Sequence, residues 1–236
     1  MKPLIVIPTY NERDNIVALL LTIRKMTPEA NITIVDDGSP DGTASLVKPL
    51  TKKYKKITLI ERKGKGGRGS AVIRGFLEGL KDKDIDTFIE MDSDFSHDPK
   101  ELKKILINSK KYDVVIASRY LKESKIKNWP LQRRIFSRLA NIFAKSILWV
   151  PIADYTNGYR CYTRKVLESI KLSRLKETGY AVLMEMIYLI HKKGFKIKQV
   201  STIFVNRKRG QSNTTRKEII NALNAPLRIR RNHKNP

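Results

Sequence analysis

Asp92-Ser93-Asp94 is the stretch of this 236-residue chain whose residue types point most directly to chemistry. Two carboxylates that flank one residue can face a single hard cation. Mg2+ or Mn2+ takes oxygen ligands and keeps waters and substrate phosphates in its shell. Such a cation neutralises the charge that builds on a departing diphosphate. A lone Asp-x-Asp is also an ordinary acidic turn, so its position matters: it directly follows the apolar run Thr87 to Met91. Asp36-Asp37-Gly38-Ser39 is a second polar stretch, after Ile32 to Val35. Asp and Gly are the expected residues of a strand-ending turn; the functional reading is that Asp37 hydrogen-bonds the base or ribose of a nucleotide. Pro8-Thr9-Tyr10-Asn11-Glu12 follows the first apolar run, Leu4 to Ile7, and Ser118-Arg119-Tyr120 follows Val114 to Ala117.

Gly64-Lys65-Gly66-Gly67-Arg68-Gly69 fits Gly-x-Gly-x-x-Gly, follows a strand pattern and opens a helix. That context suits a dinucleotide-binding turn, with Glu90 in the place of its acidic partner. A dehydrogenase would carry the loop after its first strand, however, and here it follows the third. That reading also leaves Pro8 to Glu12 and Asp36-Asp37 without a role. A basic loop over phosphates is the alternative.

The elements that must position these residues alternate. Strand runs are expected at Leu4–Ile7 (ended by Pro8), Ile32–Val35, Ile57–Ile60, Thr87–Met91 and Val114–Ala117, with helices at Asn15–Met26, through Leu46 and Leu50, at Ser70–Leu80 and at Pro99–Asn108. Short continuous apolar strands between helices imply an α/β fold: a mainly parallel, Rossmann-like sheet covered on both faces. Ligands of such sheets bind beyond the carboxyl ends of the strands, where the four polar clusters fall. From Lys122 the pattern changes. A basic loop leads to a long helix, Pro130–Leu148, between Trp129 and Trp149. A helix at Tyr180–His191, one strand at Ile197–Val205 and a basic helix at Arg216–Arg231 follow. The expected organisation is one compact domain, residues 1–212, with a basic amphipathic C-terminal helix or tail, residues 213–236.

Lys and Arg number 48 against 23 Asp and Glu, a net charge of +25, so the surface attracts an anionic partner: nucleic acid, anionic lipid or a phosphorylated substrate. Cys161 is the single cysteine, which excludes an internal disulfide, and its ordinary reading is a small buried hydrophobe. The chain opens directly on a strand pattern, and no apolar run approaches the ~20 residues that span a bilayer. Any membrane contact is therefore expected at the surface. Ile135, Phe136, Ile142, Phe143, Ile147 and Leu148 with the two tryptophans give the long basic helix the composition of an interfacial helix. Packing against the sheet accounts equally well for about half of them.

In order along the chain, the blocks Pro8 to Glu12, Val35 to Thr43, Gly69-Ser70-Ala71, Met91 to Pro99, Ser118-Arg119-Tyr120 and Asn128-Trp129-Pro130 resemble the family-2 glycosyltransferases of the GT-A fold. Arg133-Arg134, Ser137 to Asn141, Asn157 to Tyr162 and Phe204 to Arg207 with Gly210 and Ser212 extend the resemblance. More closely, the chain resembles the polyprenyl-phosphate (dolichol-phosphate) mannose synthases from Ile5 to about Asn213.

The resemblance implies inverting transfer of mannose from GDP-mannose to a polyprenyl phosphate. The same scaffold using UDP-glucose is the alternative donor reading. Pro8, Tyr10, Glu12, Val35, Asp37, Asp92, Ser93, Asp94, Ser96, Arg119 and Arg207 would bind the donor. Asp92, Asp94 and Ser96 would hold Mg2+ or Mn2+; some relatives have Gln at the Ser96 position. Arg119, Arg133, Ser137 and Arg207 would face the acceptor phosphate, and Asp94 with Arg119 would form the catalytic centre. Asn213 stands where many relatives have Lys, with Lys208, Arg209 or Arg216 as nearby substitutes. A phosphate monoester has a second pKa of about 6 and is already a nucleophile at neutral pH. No general base is then needed, and Glu185, the late carboxylate of this pattern, reads as structural. The implied location is peripheral, on the cytoplasmic face of a membrane, with a separate membrane-anchor protein as a compatible partner and no nucleic acid. A basic nucleic-acid-binding protein is the other class the charge permits; it would have no use for Asp92 or Asp94.

Overall fold

The computed structural model describes residues 1–64, 66–207 and 216–233. The first half alternates as its apolar runs require. The elements are β1 (Pro3–Thr9), α1 (Ile16–Met26), β2 (Asn31–Asp36), α2 (Thr43–Lys53), β3 (Ile57–Glu61), α3 (Arg68–Gly79), β4 (Thr87–Glu90), α4 (Leu102–Ser109) and β5 (Val114–Ser118). There follow β6 (Lys125–Lys127), α5 (Leu131–Leu148), β7 (Arg160–Thr163), α6 (Arg164–Ser169), α7 (Ala181–Lys192), β8 (Ile197–Ser201), β9 (Ile203–Val205) and α8 (Arg216–Asn232).

Seven strands form one sheet in the order β3-β2-β1-β4-β7-β5-β8. All neighbours are parallel except at β7, which runs antiparallel between β4 and β5. Successive side chains of a strand face opposite sides, so each strand feeds two cores. Leu4 and Val6 of β1 join Val35, Phe76 and Phe88 on the side of α3, α7 and α8, while Ile5 and Ile7 join Ile16, Leu19, Ile34 and Val47 on the side of α1 and α2. Helix α3 lies close against β1 because Gly75 faces it: a Cβ there would stand 2.4 Å from Val6 Cγ1.

Besides the short elements β6 and α6, which were not expected, three features depart from the expectation. Pro8 does not end the first strand; it pairs in register with Val35, and β1 continues to Thr9. The strand expected over 197–205 is two strands. Pairing with β5 ends at Ser201; at Thr202 the hydroxyl and the next backbone N–H both donate to Glu101, and β9 then pairs with β6 in a separate two-stranded sheet. The third is β7 itself, which was not expected as a strand. Its Arg160 is fully buried and donates to the carbonyls of Asn157, Leu183 and Tyr155.

Helix α8 packs on α5 and α7 and sends Ala225 and Ile229 into the core. Its far end is fastened by an ion pair from Arg228 to Glu177, by a 2.8 Å hydrogen bond between His233 Nε2 and Glu185, and by Arg230 on the carbonyl of Ile147 at 2.7 Å. Glu185 is wholly buried and also accepts the backbone N–H groups of Lys176 and Glu177, a structural role. The expected boundary at 212/213, together with Lys208, Arg209, Gly210, Ser212 and Asn213, lies outside the described residues.

Candidate active site

The polar ends of β1, β2 and β4 meet at one edge of the sheet around a cavity lined by Pro8, Tyr10, Glu12, Asp37, Arg68, Asp92, Ser93, Asp94, Tyr180 and Arg207. Asp92 lies just beyond the end of β4, and two contacts hold it. Its backbone N–H donates to His97 Nδ1 at 3.0 Å, and its Oδ1 accepts from Arg68 Nε at 2.7 Å. His97 Nδ1 is therefore the unprotonated nitrogen, and Nε2–H donates to Asn157 Oδ1 at 2.9 Å. Phe95 adopts a left-handed backbone, φ +59°, which turns the chain so that the Ser96 N–H reaches Asp94 Oδ1 at 3.0 Å. A non-glycine residue in that conformation costs on the order of 1–3 kcal/mol, a strain typical of functional loops.

The charges here balance closely. Arg68 donates through Nη1 to the wholly buried Glu90 at 2.8 Å and through Nη2 to the carbonyl of Gly158 at 3.1 Å, with its guanidinium 5.6 Å from the Tyr180 ring. Burial opposes the charge of both Arg68 and Asp92, yet the attraction between them prevails: Arg68 is held more basic than usual and Asp92 is lowered to about 2. Arg207 lies 3.1 Å from Asp94 Oδ2 and 3.8 Å from Glu12 Oε1. Burial lifts the Glu12 carboxyl to about 7, against the hydrogen bond from Asn15, and the charge of Asp94 pushes the same way. Two carboxylates, Asp92 and Asp94, offer oxygen ligands of the kind a hard cation takes, with Ser96 lining the adjoining cavity; Arg68 and Arg207 bond those same two side chains and would compete with the cation for them.

Asp37 is tied to the glycine-rich loop. Its Oδ1 accepts from Arg62 Nε at 2.6 Å and from Arg62 Nη2, and its Oδ2 accepts the N–H groups of Gly66 at 3.0 Å and Gly67 at 2.8 Å. Asp36 is a turn former, holding Thr9 and Ser39. The loop thus packs over the side of the cavity that Asp37 lines. The next helical residue inward, Gly69, has no room for a side chain: a Cβ would stand 2.5 Å from the carbonyl of Gly179. Glu90 is bound by Arg68 and Tyr162 inside the protein, which removes it as the ribose ligand of a dinucleotide site.

A second cavity, about 390 Å3, shares Asp92, Asp94, Tyr180 and Arg207 with the first. One end is cationic. Arg119, at the end of β5, forms a two-point ion pair with Asp154 at 2.7 and 2.8 Å and donates to Thr156. Burial disfavours both charges of that pair, but each holds the other ionised, Arg119 raised and Asp154 lowered. Arg133 stacks 4.1 Å above the Trp129 ring and donates to Asn206. Ser137 accepts from the Tyr120 hydroxyl at 2.6 Å. The other end is apolar, walled by Phe136 and Ala140 of α5, Met184 of α7, and Ile219, Leu223 and Pro226 of α8.

The structure therefore brings together Pro8, Tyr10, Glu12, Asp37, Asp92, Ser93, Asp94 and Arg207 at the first cavity, and Ser96, Arg119, Arg133 and Ser137 at the second. It does not bring Val35 there, because Val35 is fully buried in the core beside Gly75. Sequence reasoning gave no role to Arg62, Arg68, His97, Asp154, Asn157 or Tyr180. Their partners are mostly distant in the chain, and only the motif blocks around Gly69, Asp92 and Asn157 marked some of them.

The mostly parallel sheet, with a carboxylate pair at its carboxyl edge between a polar and an amphipathic cavity, has the GT-A fold. The same fold occurs in glucosyl-3-phosphoglycerate synthase from Mycobacterium tuberculosis, solved with Mn2+, UDP and glucosyl-3-phosphoglycerate; the TM-score is 0.67 at 15% identity, over 100% of this chain and 81% of that one. A mannosyltransferase from Pyrobaculum calidifontis, solved with GDP-Man and Mn2+, gives a TM-score of 0.59 at 16% identity over 97% and 69%. The chain belongs to Glycosyl transferase family 2, whose pattern matches residues 4–171. It is 36% identical to polyprenol monophosphomannose synthase of Mycolicibacterium smegmatis over 94% of its length and 84% of that protein. It is 34% identical to undecaprenyl-phosphate mannosyltransferase of Micrococcus luteus over 90% and 87%.

Proposed function

We propose that this protein transfers mannose from GDP-mannose to a polyprenyl phosphate, with inversion at the anomeric carbon. The second cavity carries this reading: its cationic end opens on the Asp92–Asp94 carboxylates and its other end is an apolar slot between α5, α7 and α8. A phosphate monoester on a hydrocarbon chain has that polarity. The two relatives named for polyprenyl phosphates and mannose support the acceptor and the sugar.

The chain's own residues then do the following. Glu12, Tyr10, Pro8 and the Asp37-bound loop enclose the donor nucleotide. Arg207, set between Asp94 and Glu12, neutralises phosphate oxygens as charge shifts. Arg119, fixed by Asp154, and Arg133, fixed by Trp129, hold the acceptor phosphate with Ser137 so that its oxygen meets the sugar carbon on the face opposite the diphosphate. The acceptor, largely dianionic at neutral pH, needs no proton removed. A divalent cation held by Asp92, Asp94 and Ser96 would stabilise the leaving diphosphate; the Mn2+ and Mg2+ in structures of this fold support it.

Among the described residues no helix is long and apolar enough to cross a membrane. Peripheral attachment at the cytoplasmic face is proposed through the exposed apolar residues of α5 and α8, among them Leu131, Ile135, Leu139, Ile142, Trp149 and Ile220. A separate anchoring protein is compatible with this arrangement.

The test is transfer of labelled mannose from GDP-mannose to polyprenyl phosphate in detergent, with Mn2+ or Mg2+ and with chelator. The expected product depends on metal and is lost in Asp94→Ala. Product from UDP-glucose alone would change the sugar, and no product from any donor by folded protein would overturn the assignment.

A further inference from the structure

Helix α5 has two working faces. Arg133, Phe136, Ser137 and Ala140 recur at helical spacing and line the catalytic cavity. Arg134 and Arg138 lie one helical turn apart on another face, with Leu131 (67% exposed) and Ile135 (51% exposed) beside them. This face forms one wall of a separate cleft of about 450 Å3, whose other wall is the segment after β5, including Lys122, Ser124 and Ile126. Among the described residues no carboxylate lines this cleft, and Lys122, Arg134 and Arg138 have no ion-pair partner. The Arg119 guanidinium, although its residue borders the cleft, is committed to Asp154 and Thr156. The Tyr120 hydroxyl points to Ser137.

The geometry points to a second anion site: this cleft binds the phosphodiester headgroup of an anionic phospholipid, with its acyl chains along Leu131, Ile135 and the exposed Leu139 and Ile142 of the same helix. Three converging unpaired cations beside an apolar rim match a charged headgroup joined to a hydrocarbon tail. A free phosphate would use the cations and leave the rim in water. The site is distinct from the acceptor cavity, which opens on the other face of α5. Its consequence is orientational: a lipid held here seats α5 at the interface with the catalytic cavity alongside the bilayer surface. It does not depend on which sugar or acceptor the enzyme uses.

The experiment is flotation of the full chain with vesicles of phosphatidylcholine alone, or of equal parts phosphatidylcholine and phosphatidylglycerol, without nucleotide or polyprenyl phosphate. The triple variant Lys122→Gln/Arg134→Gln/Arg138→Gln is compared with Lys52→Gln/Lys55→Gln/Lys111→Gln, which removes the same charge from exposed positions at α2 and after α4. Cations at a surface contribute roughly a factor of five each to partitioning. The cleft variant is therefore expected to lose about a hundredfold on the anionic vesicles, and the control about fivefold or less, since screening acts within ~10 Å. Equal loss in both variants would mean diffuse attraction and overturn the site. Titration of the wild type with glycerol 1-phosphate separates the two phosphate sources. Weak binding supports the lipid, whereas binding as tight as to vesicles, and lost in the cleft variant, would reassign the cleft to a soluble phosphate. Transfer in detergent, measured separately, reports on the catalytic assignment alone.

Discussion

Arg68 and Asp92 share a hydrogen bond of 2.7 Å, and the same guanidinium bonds the wholly buried Glu90 at 2.8 Å. One arginine thus balances two carboxylates beside the first cavity. Replacing it by leucine leaves Glu90 buried without a counter-charge, a loss of about 3–5 kcal/mol. Arg68→Leu is expected to melt well below the wild type. Mn2+ should raise its melting temperature more than that of the wild type, because Asp92 then has no competing cation. A differential scan with and without Mn2+ checks both statements; equal Mn2+ shifts would remove Arg68 as a competitor.

Glu12 sets a pH dependence. Burial raises its carboxyl from 4.5 to about 7 in the folded protein. A folded state that holds its proton more tightly than the unfolded chain is stabilised at low pH. That contribution is complete below about pH 4.5 and is lost as pH rises through about 7. Every tenfold gain in proton affinity on folding corresponds to about 1.4 kcal/mol. In metal-free protein, Glu12→Gln is expected to flatten this fall in melting temperature between pH 5 and 8, a window about 3–4 kcal/mol deep at most. An unchanged profile would place the titration elsewhere.

Under the proposed function, Asp154 would act on the acceptor through Arg119. It is fully buried and accepts the Arg119 backbone N–H as well as its guanidinium. Asp154→Asn keeps the shape and removes the charge. The expected result is an acceptor KM raised about tenfold or more, with donor KM nearly unchanged, since one charge-assisted hydrogen bond is worth roughly 1.5–3 kcal/mol. Equal effects on both KM values would point to general disruption.

The apolar slot predicts a dependence on acceptor chain. Leu223 of α8 lines it and is partly buried. Leu223→Asp is expected to weaken a long polyprenyl phosphate strongly and a one-isoprene phosphate little, because each buried methylene contributes about 0.8 kcal/mol. Kinetics with the two acceptors decide it.

How much of this was readable beforehand follows from the range of each interaction. Parallel strands buried on both faces read as apolar runs, so β1 to β5 and the polar clusters at their ends could be found in the chain itself. The antiparallel β7 could not: Arg160, set between Tyr159 and Tyr162, is a poor candidate for surface charge, but the chain gives no sign that the carbonyls of Leu183 and Tyr155 will surround it. Thr202 likewise gives no local sign that Glu101 will claim it and split the last strand. In the site, Asp92 and Asp94 are visible as a pair, whereas the partners of Arg68 lie 22, 24 and 90 residues away. Asp37 was legible as a polar strand end; that Arg62 and the loop amides occupy both its oxygens depends on pairing across 25 to 30 residues.

Helix α8 is fastened at one end and forms the wall of the hydrocarbon slot nearer the other. Arg228, Arg230 and His233 grip the body of the protein, while Ile219 and Leu223 cover the slot. The apolar wall of the slot is therefore positioned by contacts that lie outside the slot. A change at Arg228, Arg230 or His233 would shift that wall while leaving Arg119 and Arg133, which stand at the end of β5 and on α5, held by their own partners.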